Sequence, residues 1–163
     1  MRLTLETIYR RHRQGLFTLA LSIVRDPQAA EDAVQDAFSR LWARRGGING
    51  DPVAYVFAAV RNAALDLLRK RPGAALSGVS IFDNRPATAG EPGQRVEDEE
   101  RNRLLRSAVN SLPDELRHPV VLRLYAGLTF EQTAEALGVP LSTASSRYRK
   151  ALEVLKEALE VTV

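Results

Sequence analysis

The chain has no cysteine in its 163 residues. Disulfides and thiolate metal sites are therefore excluded, which fits a reducing compartment. Aromatic residues make up only 6%, with a single tryptophan and a single methionine. Because β-branched runs are also few, the composition argues against a sheet protein. No apolar stretch approaches the ~20 residues that a membrane span needs. The first residues lack a cationic start followed by an apolar core, so no signal peptide and a cytoplasmic location are expected. The glycines at 46, 47 and 50 lack the lysine and the preceding strand of a nucleotide loop. Metal ligands are not clustered, and no nucleophile stands at a recognisable spacing from a base. The expectation is a protein that is not an enzyme and has no cofactor, metal or small-molecule substrate. The histidines His12 and His118 are isolated in sequence and read as surface or packing residues.

Apolar residues are 45% of the chain, enough to bury a core, and they recur with helical period almost throughout. The expected fold is all-α, with two small helical domains joined by a flexible linker. A first helix is predicted over 3–24, with Leu5, Ile8, Leu16, Leu19, Ala20 and Ile23 on one face. Asp26-Pro27 then reads as a cap followed by a proline in the first turn of a second helix that reaches about Arg44. Its apolar face is Ala30, Ala33, Val34, Ala37, Phe38, Leu41 and Trp42. After a glycine-rich loop, Asp51-Pro52 repeats the start signal for a third helix to about Arg71. That helix is apolar on nearly every side until Arg61, as expected of a central helix.

Residues 72–95 form the expected linker, rich in Gly, Pro, Ala and Ser and without sustained period. Residues 72–100 could span on the order of 100 Å fully extended, or roughly 30 Å as a flexible coil. A domain of residues 96–163 would follow, with one helix to Leu112 and another from Pro113 to about Ala126, ended by Gly127. Net charge is +3 but unevenly placed. Residues 1–71 carry 12 Lys/Arg and 7 Asp/Glu, residues 72–100 carry 2 and 6, and residues 101–163 carry 9 and 7. Two basic ends around an acidic middle fit a polyanion gripped at two places.

The segment Thr129–Leu152, TFEQTAEALGVPLSTASSRYRKAL, reads as a helix, a tight turn and a second helix. Thr129 and Gln132 make a capping box, and Gly138 suits a left-handed helix end with Val139 packed beneath it. Pro140 is expected in the first turn of the second helix, and Ala144, Tyr148, Ala151, Leu152 and Leu155 on its packed face. The opposite face carries Ser142, Thr143, Ser145, Ser146, Arg149 and Lys150, beside Arg147. Hydroxyls and cations so arranged serve phosphate oxygens and base edges in a major groove. An ordinary solvated face of a bundle has the same composition.

Two further polar stripes stand out. On the second helix Asp32, Gln35, Asp36 and Ser39 share one face, with Glu31 beside them. The helix macrodipole accounts for Glu31 and in part for Asp32, and less well for Gln35 and Asp36. On the third helix Tyr55, Asn62, Asp66 and Arg69 step by seven, four and three. Asn62 could pair with an adenine edge and Tyr55 could stack on an unpaired base, with Arg61, Arg69, Lys70 and Arg71 on phosphates. Taken alone, these residues are better explained by a local polar pair of Asn62 with Asp66, ahead of a basic helix end.

Three blocks in order, AEDAVQDAFSRLW (Ala30–Trp42), AYVFAAVRNAALDLLRKR (Ala54–Arg71) and LPDELRHPVVLRLYAGLTFEQTAEALGVPLSTASSRYRKAL (Leu112–Leu152), resemble a bacterial extracytoplasmic-function sigma factor. The resemblance covers nearly the whole chain outside the linker. It implies a protein that binds core RNA polymerase, through the β′ clamp helices and the β subunit, and directs it to promoter DNA. It implies that Asp32, Gln35, Asp36 and Ser39 meet the clamp helices, and that Tyr55, Arg61, Asn62, Asp66, Arg69 and Lys70 serve the minus-10 element. The loop Gly46–Asp51 corresponds to the family's pocket for a flipped base, and unstacking that base costs a few kcal/mol. Ser142, Thr143, Ser145, Ser146, Arg147, Arg149 and Lys150 fall to the minus-35 element. An anti-sigma factor, where one exists, would target the exposed faces of both domains. The chain departs from the family at Tyr55, where tryptophan is usual, and at Ala144-Ser145, where valine and a cation are common. A helix-turn-helix regulator that never touches polymerase is the alternative, but it gives no reason for the Asp32–Ser39 stripe.

Overall fold

The computed structural model describes residues 4–44, 46–70 and 95–161. Nearly all of the expected linker, with Arg45 and Arg71, lies outside the described residues. Among the described residues seven α-helices run α1 (Leu5–Val24), α2 (Pro27–Ala43), α3 (Pro52–Lys70), α4 (Arg95–Asn110), α5 (Asp114–Val120), α6 (Phe130–Leu137) and α7 (Leu141–Val161). Among the described residues none is long and apolar enough to cross a membrane.

The helix starts follow local chemistry. The Thr4 hydroxyl accepts from the Thr7 N–H at 3.1 Å, and the Asp26 carboxylate accepts from the Ala29 N–H at 3.2 Å with Pro27 in the first turn. Asp51 caps α3, its Oδ1 accepting from the Val53 and Ala54 N–H groups at 2.9 and 3.1 Å. Each cap satisfies donors that the first helical turn leaves open. α3 is central, as its all-round apolar surface predicts: it packs on α1, α2 and α6.

Two apolar positions depart from the periodic reading. Trp42 is 61% exposed, meeting Phe38 at a 5.6 Å ring separation near the end of α2, and Leu152 is 39% exposed. Helical period assigns a direction to a side chain, but burial needs a neighbour there. The helix expected from Pro113 to Ala126 is also interrupted. Pro119 lies inside α5 and offers no N–H to the preceding turn. The chain then widens into a π-helical turn over Val121–Tyr125, with the Ala126 N–H donating to the Val121 carbonyl at 3.0 Å.

The two halves close on each other around one continuous apolar core, which includes Leu16, Leu19 and Phe57 from the first half and Val120, Leu122 and Leu137 from the second. Gly15 makes the approach possible. A Cβ there would lie 2.9 Å from the Ala126 Cβ and 3.4 Å from the Phe57 ring. Polar ties flank the core. The buried Arg117 donates to the Leu112 carbonyl at 2.6 Å and to the Ser22 carbonyl of α1 at 3.1 Å, and it pairs with Asp114. Arg25 ends α1 in the left-handed conformation (φ 59°) and binds both the side chain and the carbonyl of Asn110, at the end of α4.

Candidate nucleic-acid and protein interfaces

Three faces carry the residues singled out by sequence. The first lies on α7. The capping box of α6 is complete: the Thr129 hydroxyl accepts from the Gln132 N–H, and the Gln132 Oε1 accepts from the Thr129 N–H, both at 3.0 Å. Gly138 takes φ 67°, and its N–H and that of Val139 donate to the Glu135 and Ala134 carbonyls. This is the paired closure that makes a tight helix end. Pro140 stands one residue earlier than expected. Its carbonyl accepts from the Thr143 and Ala144 N–H groups, so it precedes α7 instead of entering the first turn.

α7 is seated by buried Ala144, Ala151 and Leu155. Tyr148 meets Phe130 edge-on at 5.3 Å, and the Arg123 guanidinium lies 4.2 Å from the Phe130 ring while donating to the Leu128 carbonyl. Arg123 thus braces the motif from the preceding segment. The outward face presents Ser142, Ser146, Arg149 and Lys150, all exposed, at helical steps of four, three and one. Thr143 and Ser145 are half-buried beside them. Arg147 departs from this set: it is half-buried, and its charge lowers the pKa of Arg61 of α3 after the larger effect of burial.

The second face is the α2 stripe. Gln35, Asp36 and Ser39 are exposed, and Asp32 is half-buried, accepting from the Gln28 side chain at 3.2 Å. Asp36 meets Arg40 at 3.1 Å with both side chains largely in water, a pairing worth little and easily exchanged. The first turn of α2 holds no acid. Glu31 begins in the second turn, where the dipole has faded, so the macrodipole does not explain this stripe.

The third face lies between α2 and α3. A groove of about 300 Å³ is lined by Arg40 and Arg44 from α2 and by Tyr55 and Asn62 from α3, over a floor of alanines. The Arg44 guanidinium lies 5.3 Å from the Tyr55 ring centroid. The arrangement offers an aromatic face, an amide and two cations, the set that a single strand needs for stacking and phosphate contact. The local pair expected of Asn62 and Asp66 takes another form, with Asp66 meeting Arg69 at 3.5 Å. Arg69 and Lys70 are exposed at the helix end; Arg61 is half-buried at the seam, off this face. Sequence reasoning missed Arg40 and Arg44 as groove residues. Their four-residue spacing at the end of α2 was the available signal.

A further contact joins the halves. Asp51 Oδ2 accepts from the Gln132 amide at 3.1 Å, and the Asp51 N–H donates to Glu135 Oε1 at 3.3 Å. Among the described residues no group of His, Cys, Asp and Glu could hold a metal ion.

Comparison with known proteins places these faces in a context. Residues 8–72 match the family model for Sigma-70 region 2, and residues 108–157 match that for Sigma-70, region 4. The chain is 31% identical over 164 residues to the RNA polymerase sigma-E factor of Streptomyces antibioticus, covering 97% of this chain and 86% of the relative. It is 29% identical over 162 residues to the ECF RNA polymerase sigma factor SigK of Mycobacterium sp. (strain JLS), covering 93% and 81%. In fold it is similar to the sigma factor RpoE of Bartonella quintana, solved in complex with the anti-sigma factor NepR, at TM-score 0.71 and 24% identity over 96% of both chains. It is likewise similar to CnrH, solved with the cytosolic domain of CnrY, at TM-score 0.66 and 21% identity, covering 97% and 88%.

Proposed function

The chain belongs to the extracytoplasmic-function sigma factors that direct transcription initiation by RNA polymerase, and on that premise we propose how its surfaces divide the work. Residues 1–71 bind core polymerase through Asp32, Gln35, Asp36 and Ser39 on the clamp helices of β′. The same domain takes the non-template strand of the minus-10 element along the α2–α3 groove, with Tyr55 and Asn62 facing bases and Arg40, Arg44, Arg69 and Lys70 facing phosphates. Residues 96–163 bind duplex DNA at minus-35, with Ser142, Ser146, Arg149 and Lys150 toward the groove. Residues 72–95 connect the two. The protein works in the cytoplasm and does no chemistry of its own. An anti-sigma factor, of the kind solved with the sigma factor of Bartonella quintana, is a further partner.

The observation that carries this reading is the coexistence in one chain of two exposed polar faces of different chemistry: acids and an amide on α2, hydroxyls and cations on α7. A repressor acting alone would use the second and have no use for the first.

The two promoter elements also demand separation of the halves. About 25 base pairs at roughly 3.4 Å each put their centres on the order of 85 Å apart. A compact chain of this length has a radius of gyration of about 15 Å, so it is roughly 40 Å across. The closed form cannot reach both elements, whereas the linker can span the difference. Run-off transcription with core polymerase on a genomic promoter library tests the function: defined start sites that require the chain are expected. Failure to be captured by core polymerase would sink the proposal.

A further inference from the structure

We propose that α6 is an autoinhibitory latch: in the closed chain its Gln132 and Glu135 hold the Gly46–Asp51 loop and keep it from DNA. The proposal rests on reading that loop as part of the minus-10 surface, and it goes beyond that reading by assigning a regulatory role to residues outside both promoter faces.

The geometry is specific. In a complete capping box the helix's own third residue accepts a hydrogen bond from the cap residue's N–H. In α3 that third residue is Ala54, which has no acceptor to offer. Glu135 supplies it from the other half of the molecule, accepting from the Asp51 N–H at 3.3 Å. Gln132 does double duty. Its Oε1 completes the capping box of α6 while its amide donates to Asp51 Oδ2 at 3.1 Å. Asp51 in turn uses Oδ1 to cap α3. Two helix starts, 81 residues apart in sequence at Asp51 and Gln132, are thereby joined through one carboxylate and one amide. The Glu135 carboxylate also stands directly against Gly50 (φ 83°), so it places a negative charge on the loop and repels an incoming phosphate.

This contact is a latch, because it is weak enough to release. Glu135 is exposed and Asp51 only half-buried, so water competes for each bond. Across the same seam the Arg147 charge acts on Arg61, and that repulsion opposes closure. DNA that neutralises both arginines favours the open form over the closed one, which is the differential affinity that any opener needs.

The absence of cysteine allows spin labels to be placed cleanly at two introduced cysteines, Arg11→Cys on α1 and Glu157→Cys on α7, both exposed positions away from the latch. The labelled chain, free of polymerase, should show mainly one short distance. Glu135→Ala should raise the open-to-closed ratio about three- to tenfold. Glu135→Gln keeps an acceptor oxygen and should remain nearer the parent. Gly15→Ala, which favours the α1 helix itself but forces a Cβ to 2.9 Å from that of Ala126, should open the chain from the other end of the seam. In each variant the affinity of the free chain for promoter DNA should rise in proportion to the open fraction. Unchanged distances in both Glu135→Ala and Gly15→Ala overturn the latch, as does opening without any gain in DNA affinity. The distance measurement uses no polymerase, so loss of the latch and loss of the sigma reading register in separate experiments.

Discussion

Arg147 of α7 lies close enough to Arg61 of α3, across the seam between the two halves, for its charge to lower the Arg61 pKa, after the larger effect of burial. Neither position is chosen for the stability of the closed chain. Both are among the residues expected at promoter DNA, where a phosphate would stand in place of the opposing charge.

Replacing Arg147 with glutamine should therefore have two effects of opposite sign. Removing the repulsion stabilises the closed chain by a few tenths of a kcal/mol, the discounted worth of a half-exposed charge pair. Losing a phosphate contact lowers the slope of log affinity against log salt by about one charge. Thermal unfolding and a salt titration of DNA binding check the two halves. A fall in both thermal midpoint and affinity with an unchanged salt slope contradicts the assignment.

His118 makes the closed fold acid-sensitive. Its Nε2 is buried without a hydrogen-bond partner, and its pKa is lowered from 6.5 to about 4. Burial is the main cause, Arg117 adds to it, Asp114 opposes it, and Arg61 and Arg25 add smaller repulsions. The folded chain therefore binds fewer protons than the unfolded one between these two values. The stability from keeping this ring neutral is present in full above pH 6.5 and is lost as pH falls toward 4, about 3 kcal/mol in all. Denaturant midpoints measured from pH 7 to pH 4 should fall along this curve, and the fall should flatten in His118→Asn.

Asp36→Arg should abolish capture by core polymerase while leaving the fold intact, because Asp36 is exposed and its ion pair is with Arg40, itself exposed. A pull-down with core enzyme, alongside a helical circular dichroism spectrum, reads both. Normal capture would remove the α2 stripe from the polymerase interface.

Arg149→Ala should weaken promoter-directed transcription about tenfold or more, as befits one base or phosphate contact in the major groove. Affinity for core polymerase should stay level. Equal losses in the two assays would contradict the division between the α2 and α7 faces.

What could be read from sequence was local. The caps at Asp26, Asp51 and Thr129 and the glycine at 138 each depend on a neighbourhood of four or five residues, and each forms as its neighbours dictate. The exposed run Ser142, Ser146, Arg149, Lys150 follows from helical period alone. Arg147, one step around the same helix, does not: it is half-buried and acts on the charge of Arg61, 86 residues earlier, a proximity that exists only because the halves close. Trp42 and Leu152 diverge for the same reason, since period names a side and not a neighbour. The widened turn after Pro119 ends at Ala126, which sits on Gly15 of α1, a neighbour that sequence does not name. The family resemblance named the surfaces, but Arg40 and Arg44 join the groove only once α2 and α3 are laid side by side.

The single core shared by both halves bears on how long such a protein lasts in a cell. Opening uncovers apolar surface that Ala126, Gly15 and their neighbours otherwise hide. An opened chain with no enzyme to join would present that surface to proteases, so the closed form that keeps Gly15 against Ala126 would also protect the chain from cleavage.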